Sequence, residues 1–105
     1  MEMVSEQLIE HLKRIEPGKT VDYSLGRLLK NRAEEKLAAF QERVEYCRKH
    51  YDMSAAEFYV RKIRNKNHTW ADEETYFDWV TAIQGAEEME TEIAALEEIL
   101  AHADG

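Results

Sequence analysis

The sequence is poor in the residues that break helices or cross-link chains. Its 105 residues include only four glycines, one proline and one cysteine, Cys47. A single cysteine excludes a disulfide within the chain and is typical of a reducing compartment. No apolar run reaches the roughly 18 residues that span a bilayer, and the first residues lack the basic and apolar regions of a signal peptide. We therefore expect a cytoplasmic protein that does not enter a membrane.

Positive charge is absent from the last third of the chain. Residues 67–105 contain eleven Asp and Glu but no Lys or Arg, whereas residues 1–66 contain all 14 Lys and Arg and the other eleven acids. The chain therefore joins a segment of charge −11 to one of charge +3. Apolar residues from Tyr76 to Leu100 recur at helical spacing, which predicts an acidic amphipathic helix and not a disordered tail. Such a helix attracts a basic partner.

The helical periods predict an all-α fold in a single domain, residues 1–105. Two long amphipathic helices are expected to form a long antiparallel, coiled-coil-like hairpin, and Ser54 and Glu57 form a capping box before the short helix that links them. The predicted segments are an N-terminal helix and turn (1–18), a long helix (20–52), a linker helix (54–66) and an acidic long helix (70–103).

The expected core follows from the apolar stripes of these helices. Two narrow stripes leave apolar surface uncovered, so either the short helices cover it or a second copy does. We favour the second copy, which would form a homodimer and a four-helix bundle. The stripes comprise Leu8, Ile9, Leu12 and Ile15 in the first helix, Leu25, Leu29, Ala33, Leu37, Phe40, Val44, Cys47 and Tyr51 in the second, and Phe58, Tyr59 and Ile63 in the linker.

An aromatic cluster begins the acidic helix, with Trp70, Tyr76, Phe77 and Trp79 beside the linker helix. Most of these rings are expected to fill the core at that end of the hairpin. Three of them, together with Val80, cover too wide an arc for one stripe. We therefore expect at least one ring to face a partner, since Trp and Tyr are typical anchors of protein interfaces.

The same region resembles a known family. Residues 50–58, His-Tyr-Asp-Met-Ser-Ala-Ala-Glu-Phe, are similar to a Tyr-Gly-Met-Ser-x-x-Glu-Phe element. Trp70 and residues 76–87 are similar to a Ser-x-Glu-x-Asp-Tyr-Trp-Asp-Trp-x-x-Ala-Ile-x-Gly-Ile-Glu element. Both elements resemble those of small helical prokaryotic antitoxins of the TumA type, which are encoded beside a TumE-type toxin. The likeness covers residues 34–100, with Asp52 where glycine is usual and Thr75 where an acid is usual.

The resemblance implies an antitoxin that neutralises a cognate toxin, expected to be a ribonuclease, by direct contact. The charge distribution agrees, because an RNA-binding cleft is basic and a helix lined with carboxylates can occupy it. The alternative is that the acidic face is merely solvated or pairs with the basic face of the second helix in its own dimer. No catalytic residue, metal or cofactor is expected. The expected partner-binding residues are Trp70, Tyr76, Phe77, Trp79, Glu87, Glu88, Glu90 and Glu92.

Two enzyme hypotheses and an adaptor remain as alternatives. The segment Glu42–Glu45 with Glu74 and Asp78 is similar to the acids that hold magnesium in MazG-type nucleotide pyrophosphohydrolases, although that family's second pair is spaced Glu-x-x-Asp. A helical nuclease could use an arginine with a histidine seven residues later, as in Arg43 with His50 or Arg61 with His68. Surface charge explains these pairs more simply. A generic helical adaptor is the remaining possibility.

Two further patterns predict nothing specific. Cys47 and His50 form a lone Cys-x-x-His, whereas zinc requires about four ligands, so a buried cysteine is the stronger interpretation. The basic run at residues 61–66 could contact nucleic acid. In a chain of net charge −8 without a known DNA-binding motif, it is expected to balance acids, and direct nucleic-acid binding is not expected.

Overall fold

The computed structural model describes residues 5–65 and 67–103, which contain helices and turns but no strand. The long helices α2 and α4 pack together and form the predicted all-α helical hairpin. Residues 1–4 of the first predicted segment and residue 66 of the third lie outside the described residues, as do residues 104 and 105 of the predicted domain. The elements are α1 (Glu6–Ile15), α2 (Val21–Tyr51), α3 (Ala55–Phe58), a π-helical turn (Tyr59–Ile63) and α4 (Trp70–His102).

Contacts divide the chain into two units. The terminal unit consists of the described parts of Met1–Glu34 and Thr91–Gly105, and the central unit is Glu35–Glu90. The sequence predicts one domain, and each unit is described by itself below. No helix among the described residues is long and apolar enough to cross a bilayer.

Side-chain caps begin each of the helices α1 to α4. The hydroxyl oxygens of Ser5 and Thr20 each accept the N–H three residues later, at 3.2 Å in both cases. Ser54 Oγ accepts the N–H of Glu57 at 3.2 Å and donates to its carboxylate at 3.5 Å. At α4, the Thr69 N–H donates to Asp72 Oδ2 and the Asp72 N–H donates to Thr69 Oγ1, both at 3.1 Å. Because these caps satisfy N–H groups that each helix leaves free, they stabilise the starts of the helices.

Helix α2 ends in a left-handed residue. Asp52 has a φ of 53°, and the Met53 N–H donates to the carbonyl oxygen of Arg48 at 3.3 Å. A bond of this kind after a left-handed residue is the Schellman arrangement, in which glycine is the usual residue.

The linker is only partly α-helical. After Phe58 the backbone forms a π-helical turn, and the Arg64 N–H donates to the carbonyl oxygen of Tyr59, five residues earlier, at 3.0 Å. The wider turn leaves Tyr59 40% exposed, whereas Phe58 is buried. The expectation that Tyr59 belongs to the core was therefore wrong.

The core of the central unit is built on three side chains from three helices. Cys47, Phe58 and Trp79 are each 1% exposed. The ring centroid of Tyr51 lies 4.9 Å from that of Phe58 and 6.0 Å from that of Trp79, and the Phe58 and Trp79 centroids are 5.7 Å apart. Offset and tilted rings at these distances stabilise an aromatic cluster beyond the area that they bury. An aromatic core therefore forms at this end of the hairpin. Of Trp70, Tyr76, Phe77 and Trp79, however, only Trp79 is buried, so the expectation that most of these rings fill the core was wrong.

Small residues set the close approach of the long helices. A Cβ added to Gly85 would lie 2.7 Å from the ring of Phe40 in the central unit, and one added to Gly26 would lie 2.9 Å from Leu100 Cδ2 in the terminal unit. Gly26 and Ala33 are buried on α2, whereas Leu29 is 57% exposed. The prediction that Leu29 lies in the stripe was wrong, because the buried face carries small residues that hydrophobicity does not single out.

Helix α1 buries less than its pattern predicts. Ile9 and Leu12 are half-buried, but Leu8 and Ile15 are exposed. Only half of the predicted apolar face is therefore covered within the terminal unit. The remaining exposed large apolar side chains of that unit are Leu28, Leu29 and Ile99.

Candidate partner-binding surface

A groove of about 720 Å³ lies in the central unit, where α4 begins. We call it the aromatic groove. Its walls are apolar and its edge carries carboxylates, a combination typical of surfaces that bind an amphipathic segment. It is lined by Ile63 from the π-helical turn, by Trp70, Tyr76, Phe77 and Val80 from α4, and by the acids Glu73, Glu74 and Asp78.

Two rings of the aromatic groove are open to solvent. Trp70 is 72% exposed and Phe77 is 69% exposed. They lie seven residues apart on α4, so both project from nearly the same side of the helix, about 180° around it from Trp79. Both rings are therefore accessible to a partner, and the expectation that at least one ring of the cluster faces a partner stays a prediction.

The other two predicted aromatic residues differ from them. Tyr76 is half-buried, and its ring centroid lies 5.2 Å from that of Tyr59, which fixes one wall of the groove. Trp79 is only 1% exposed and packs in the core. Trp79 therefore presents no surface to a partner, and its place among the expected partner-binding residues is corrected. It supports the helix that carries the exposed rings.

The carboxylates at the groove differ in what they bind. His68 Nε2 lies 3.0 Å from Glu73 Oε1. Asp78 lies 3.6 Å from the Arg43 guanidinium in a pair that is about half exposed, so solvent weakens it. Glu74 has no ion pair within the described residues. Negative charge at the groove is therefore only partly balanced by the chain itself.

His68 is held between two acceptors. Its Nδ1 lies 2.8 Å from the carbonyl oxygen of Asn65, and its Nε2 faces the carboxylate of Glu73. The Asn65 carbonyl first, and then Glu73, raise the pKa of His68 above its ordinary value. Only the protonated imidazole can donate to both acceptors at once.

The predicted acidic face is on the surface of α4. Glu87, Glu88 and Glu90 in the central unit and Glu92 in the terminal unit are all exposed. Within the described residues, Glu88, Glu90 and Glu92 form no ion pair. At 3.6 residues per turn, the four carboxylates cover about 200° of the helix circumference. Of these four, Glu88, Glu90 and Glu92 therefore present negative charge that no ion pair among the described residues balances.

Two acids of α4 that lie outside the predicted acidic face pair with α2 of the same chain. In the terminal unit, Lys30 Nζ lies 3.5 Å from Glu97 Oε1 and 3.7 Å from Glu34 Oε1. In the central unit, Arg43 binds Asp78. These pairs lie at positions beside the helix contact, whereas the carboxylates of the predicted acidic face lie between them along the chain.

The structure does not assemble a metal site from the acids of the enzyme hypothesis. Among residues 5–65 and 67–103, no three His, Cys, Asp or Glu side chains are close enough to hold one ion. Glu42 and Glu74 are exposed, and Glu45 binds Arg48 at 2.6 Å. The arginines of the nuclease hypothesis also have partners, since Arg43 binds Asp78 and Arg61 lies 3.7 Å from Glu57.

The Cys-x-x-His pair does not converge either. Cys47 is buried in the core, and burial raises the pKa of its thiol. His50 is exposed and packs against Tyr46 and Tyr51, with ring centroids 5.5 and 4.7 Å apart. The prediction of a buried cysteine is confirmed. Of the basic run at residues 61–66, the structure describes residues 61–65, and Lys66 lies outside it.

Sequence reasoning missed part of the groove. Ile63 packs against the core as predicted but also lines the groove, and His68, Glu73 and Glu74 were not predicted to belong to a partner-binding surface. A signal was present, because Trp70, Glu73, Glu74 and Phe77 follow the spacing i, i+3, i+4 and i+7 of one helix face. That face was overlooked because the apolar residues opposite it define the core.

Comparison of the chain with models of protein families, with curated proteins and with solved structures finds no match. The interpretation of the surface therefore depends on its own geometry and charge.

Proposed function

We propose that this chain is an antitoxin-like inhibitor that neutralises a basic, RNA-cleaving toxin by direct protein contact through α4. The proposal is supported chiefly by the three exposed carboxylates of Glu88, Glu90 and Glu92, which have no counter-ion within the described residues. The absence of Lys and Arg from residues 67–105 leaves no cation on the same helix to neutralise them. The likeness of residues 50–58 and 70–87 to TumA-type elements supplies the class of partner.

Electrostatics gives the mechanism of the proposed inhibition. A cleft that binds RNA concentrates Lys and Arg, since phosphate contacts dominate the affinity for nucleic acids. A rigid helix lined with carboxylates offers the same charge in an ordered array, so it competes with RNA for that cleft. Opposite potentials also steer the two proteins together and raise the association rate. The helix is held rigid by the buried face that includes Trp79, Ala82 and Gly85.

The proposal has further parts. The inhibitor acts without a cofactor, a metal or its own catalytic residues, and it has no direct role for nucleic acid or membrane. It functions as a homodimer, which the exposed apolar side chains Leu8, Ile15 and Leu28 of the terminal unit favour. It resides in the cytoplasm, which the single free cysteine favours.

The test is toxin rescue with a charge-reversed helix. The partner is a small basic protein encoded beside the gene of this chain, and lack of such a neighbour would favour the adaptor alternative. Converting Glu87, Glu88, Glu90 and Glu92 to lysine should abolish growth rescue and slow association, because attraction becomes repulsion. Stability should change little, since these side chains are exposed. Association of the wild type should slow as salt rises, because charges are screened beyond ~8 Å at physiological ionic strength.

A matched control carries the same change in charge elsewhere. Converting the exposed acids Glu6, Glu10, Glu34 and Glu42 to lysine changes the net charge equally and leaves α4 intact. This variant should keep most of the rescue. Undiminished rescue by the α4 variant, or equal loss in both variants, would show that the acidic face is not the inhibitory surface.

The enzyme alternative has a direct assay. The purified chain should not hydrolyse nucleoside triphosphates with magnesium, nor cleave RNA, since no three potential ligands converge within the described residues. Turnover that disappears in a Glu42→Gln or Asp78→Asn variant would overturn the proposal in favour of the MazG-like enzyme.

A further inference from the structure

The aromatic groove is a surface separate from the acidic face of residues 87–92, and the proposed charge mechanism does not use it. It combines two exposed rings, Trp70 and Phe77, with an apolar wall formed by Ile63 and Val80. Exposing large aromatic rings to water is unfavourable, and contiguous exposed apolar surface of this kind marks interaction sites. The groove is therefore suited to binding a segment that has an apolar face.

The charge at the groove restricts that occupant. Three carboxylates, those of Glu73, Glu74 and Asp78, lie along it. Glu73 is engaged by His68, and Asp78 has only a half-exposed pair with Arg43, whereas Glu74 has no ion pair within the described residues. An acidic or purely apolar segment would leave these charges repelled or desolvated, which is costly. A segment with Lys or Arg beside its apolar face satisfies them.

The shape of the lining indicates a helix as the occupant. Trp70, Glu74 and Phe77 repeat at i, i+4 and i+7 along two turns, so the lining extends over about 10 Å of α4. A second helix laid along such a groove brings its own i, i+3 and i+4 side chains into register with these positions. An exposed indole face such as that of Trp70 also attracts a Lys or Arg cation.

We propose that the aromatic groove is the docking site for a cationic amphipathic helix of a partner protein. Apolar side chains of that helix insert between Phe77 and Val80, and its Lys or Arg side chains bind Glu74 and Asp78. The inference rests on the proposed function only in taking the partner to be a basic protein. It adds a second contact surface, which anchors the partner while the acidic face at residues 87–92 covers the RNA-binding cleft.

The experiment uses the full chain and a synthetic helix of leucine and lysine, with the leucines on one face. As the peptide is added to the chain, binding should saturate. The fluorescence emission of Trp70 should move to shorter wavelength, because the ring leaves water. Trp79 is already buried and serves as the unchanging background. A Trp70→Phe variant should still bind, by calorimetry, but should lose the spectral shift.

Variants of the chain locate the site. Phe77→Ala should weaken binding of the peptide about tenfold or more, as removal of an interface anchor does. Glu74→Lys should weaken it severalfold at low salt and less at high salt. Val60→Ala is the matched control, because Val60 is also exposed and apolar but does not line the groove, and its affinity should equal that of the wild type.

Three results would overturn the docking proposal. A shuffled leucine and lysine peptide without an apolar face should bind far more weakly, and equal binding would reduce the interaction to charge alone and overturn the proposal. Unchanged affinity in Phe77→Ala would also overturn it. If dilution of the chain alone shifts Trp70 emission to longer wavelength, a second copy occupies the groove and the proposal is wrong. Because no toxin is needed, these results are independent of the rescue assay.

Discussion

At the residue scale, the two tryptophans of the chain have opposite environments. Trp79 is buried against Phe58 and Tyr51, while Trp70 lies in solvent on the same helix. The sequence predicted the aromatic cluster but did not divide it between core and surface. The two tryptophans lie nine residues apart, about 180° around α4, and Trp79 is on the side that packs against Phe58.

Replacing Trp79 by alanine should therefore affect stability, and replacing Phe77 should not. Trp79→Ala leaves a large cavity, so the free energy of unfolding should fall by ~3–5 kcal/mol. Phe77→Ala removes an exposed ring and should change it by less than ~0.5 kcal/mol. Urea denaturation followed by circular dichroism measures both. Equal losses in the two variants would contradict the assigned burial.

Gly85 is the second residue whose size matters. A Cβ here would lie 2.7–2.8 Å from three atoms of the Phe40 ring, so the ring or the helices must shift to admit it. Overpacking of this kind costs ~1–3 kcal/mol, which exceeds the ~1 kcal/mol that alanine gains over glycine in a helix. Gly85→Ala should therefore lower the midpoint of urea denaturation.

A smaller side chain at Phe40, which faces Gly85, tests whether overpacking causes the loss. Adding Phe40→Leu to Gly85→Ala should recover part of the loss. Gly26→Ala is the control, because its Cβ would meet only the flexible end of Leu100 at 2.9 Å. It should be neutral or slightly stabilising. A stabilising effect of Gly85→Ala would show that the helices are further apart than described.

At the scale of elements, the starts of the four helices were predictable and the linker was not. Ser5, Thr20, Ser54 and Thr69 each place a hydroxyl before a helix, and each cap forms. The π-helical turn has no sequence signature, since it depends on how Phe58 and Ile63 fit the core. Its consequence is that Tyr59 turns outward, which periodicity alone could not show.

The loop before α4 should make stability depend on pH. The pKa of His68 is raised in the folded state, so its contribution is fully present below the ordinary value of about 6.5 and is lost as pH rises through the folded value. The melting temperature should therefore fall over this range in the wild type. NMR titration of the imidazole gives the folded pKa directly.

The control for this prediction removes only the titrating group. His68→Gln keeps hydrogen-bonding capacity at this position and should flatten the dependence on pH over the same range. Glu73→Gln should bring the pKa of His68 closer to its ordinary value, because one of its two acceptors loses its charge. A pH dependence that persists unchanged in His68→Gln would assign it to another group.

At the scale of the whole molecule, the sequence alone gives the distribution of charge. It does not give which apolar side chains remain exposed. Leu29 was expected in the stripe, and Leu8 and Ile15 on a packed face, yet all three are exposed. Periodicity identifies a face but not whether the same chain has enough partners to cover it. A chain of this length buries only part of its apolar surface.

Self-association should cover that surface in the isolated protein. Leu8, Ile15, Leu28, Leu29 and Ile99 of the terminal unit are all exposed, and burying them between two copies is favourable. Light scattering at tens of micromolar should give the mass of a dimer. Converting Leu28 and Leu29 to lysine should give a monomer of unchanged helix content. A monomeric mass for the wild type at that concentration would contradict the prediction.

Chemical labelling of the single thiol can also measure how often the core of the central unit opens. Cys47 is only 1% exposed, so a thiol reagent should react with it chiefly when the contacts of Phe58 and Trp79 separate. Where closing is faster than labelling, the ratio of the labelling rates in the native and unfolded chain is the fraction of time that the core is open. Measured at one pH with and without a bound partner, that fraction would show how firmly binding on α4 holds the core closed.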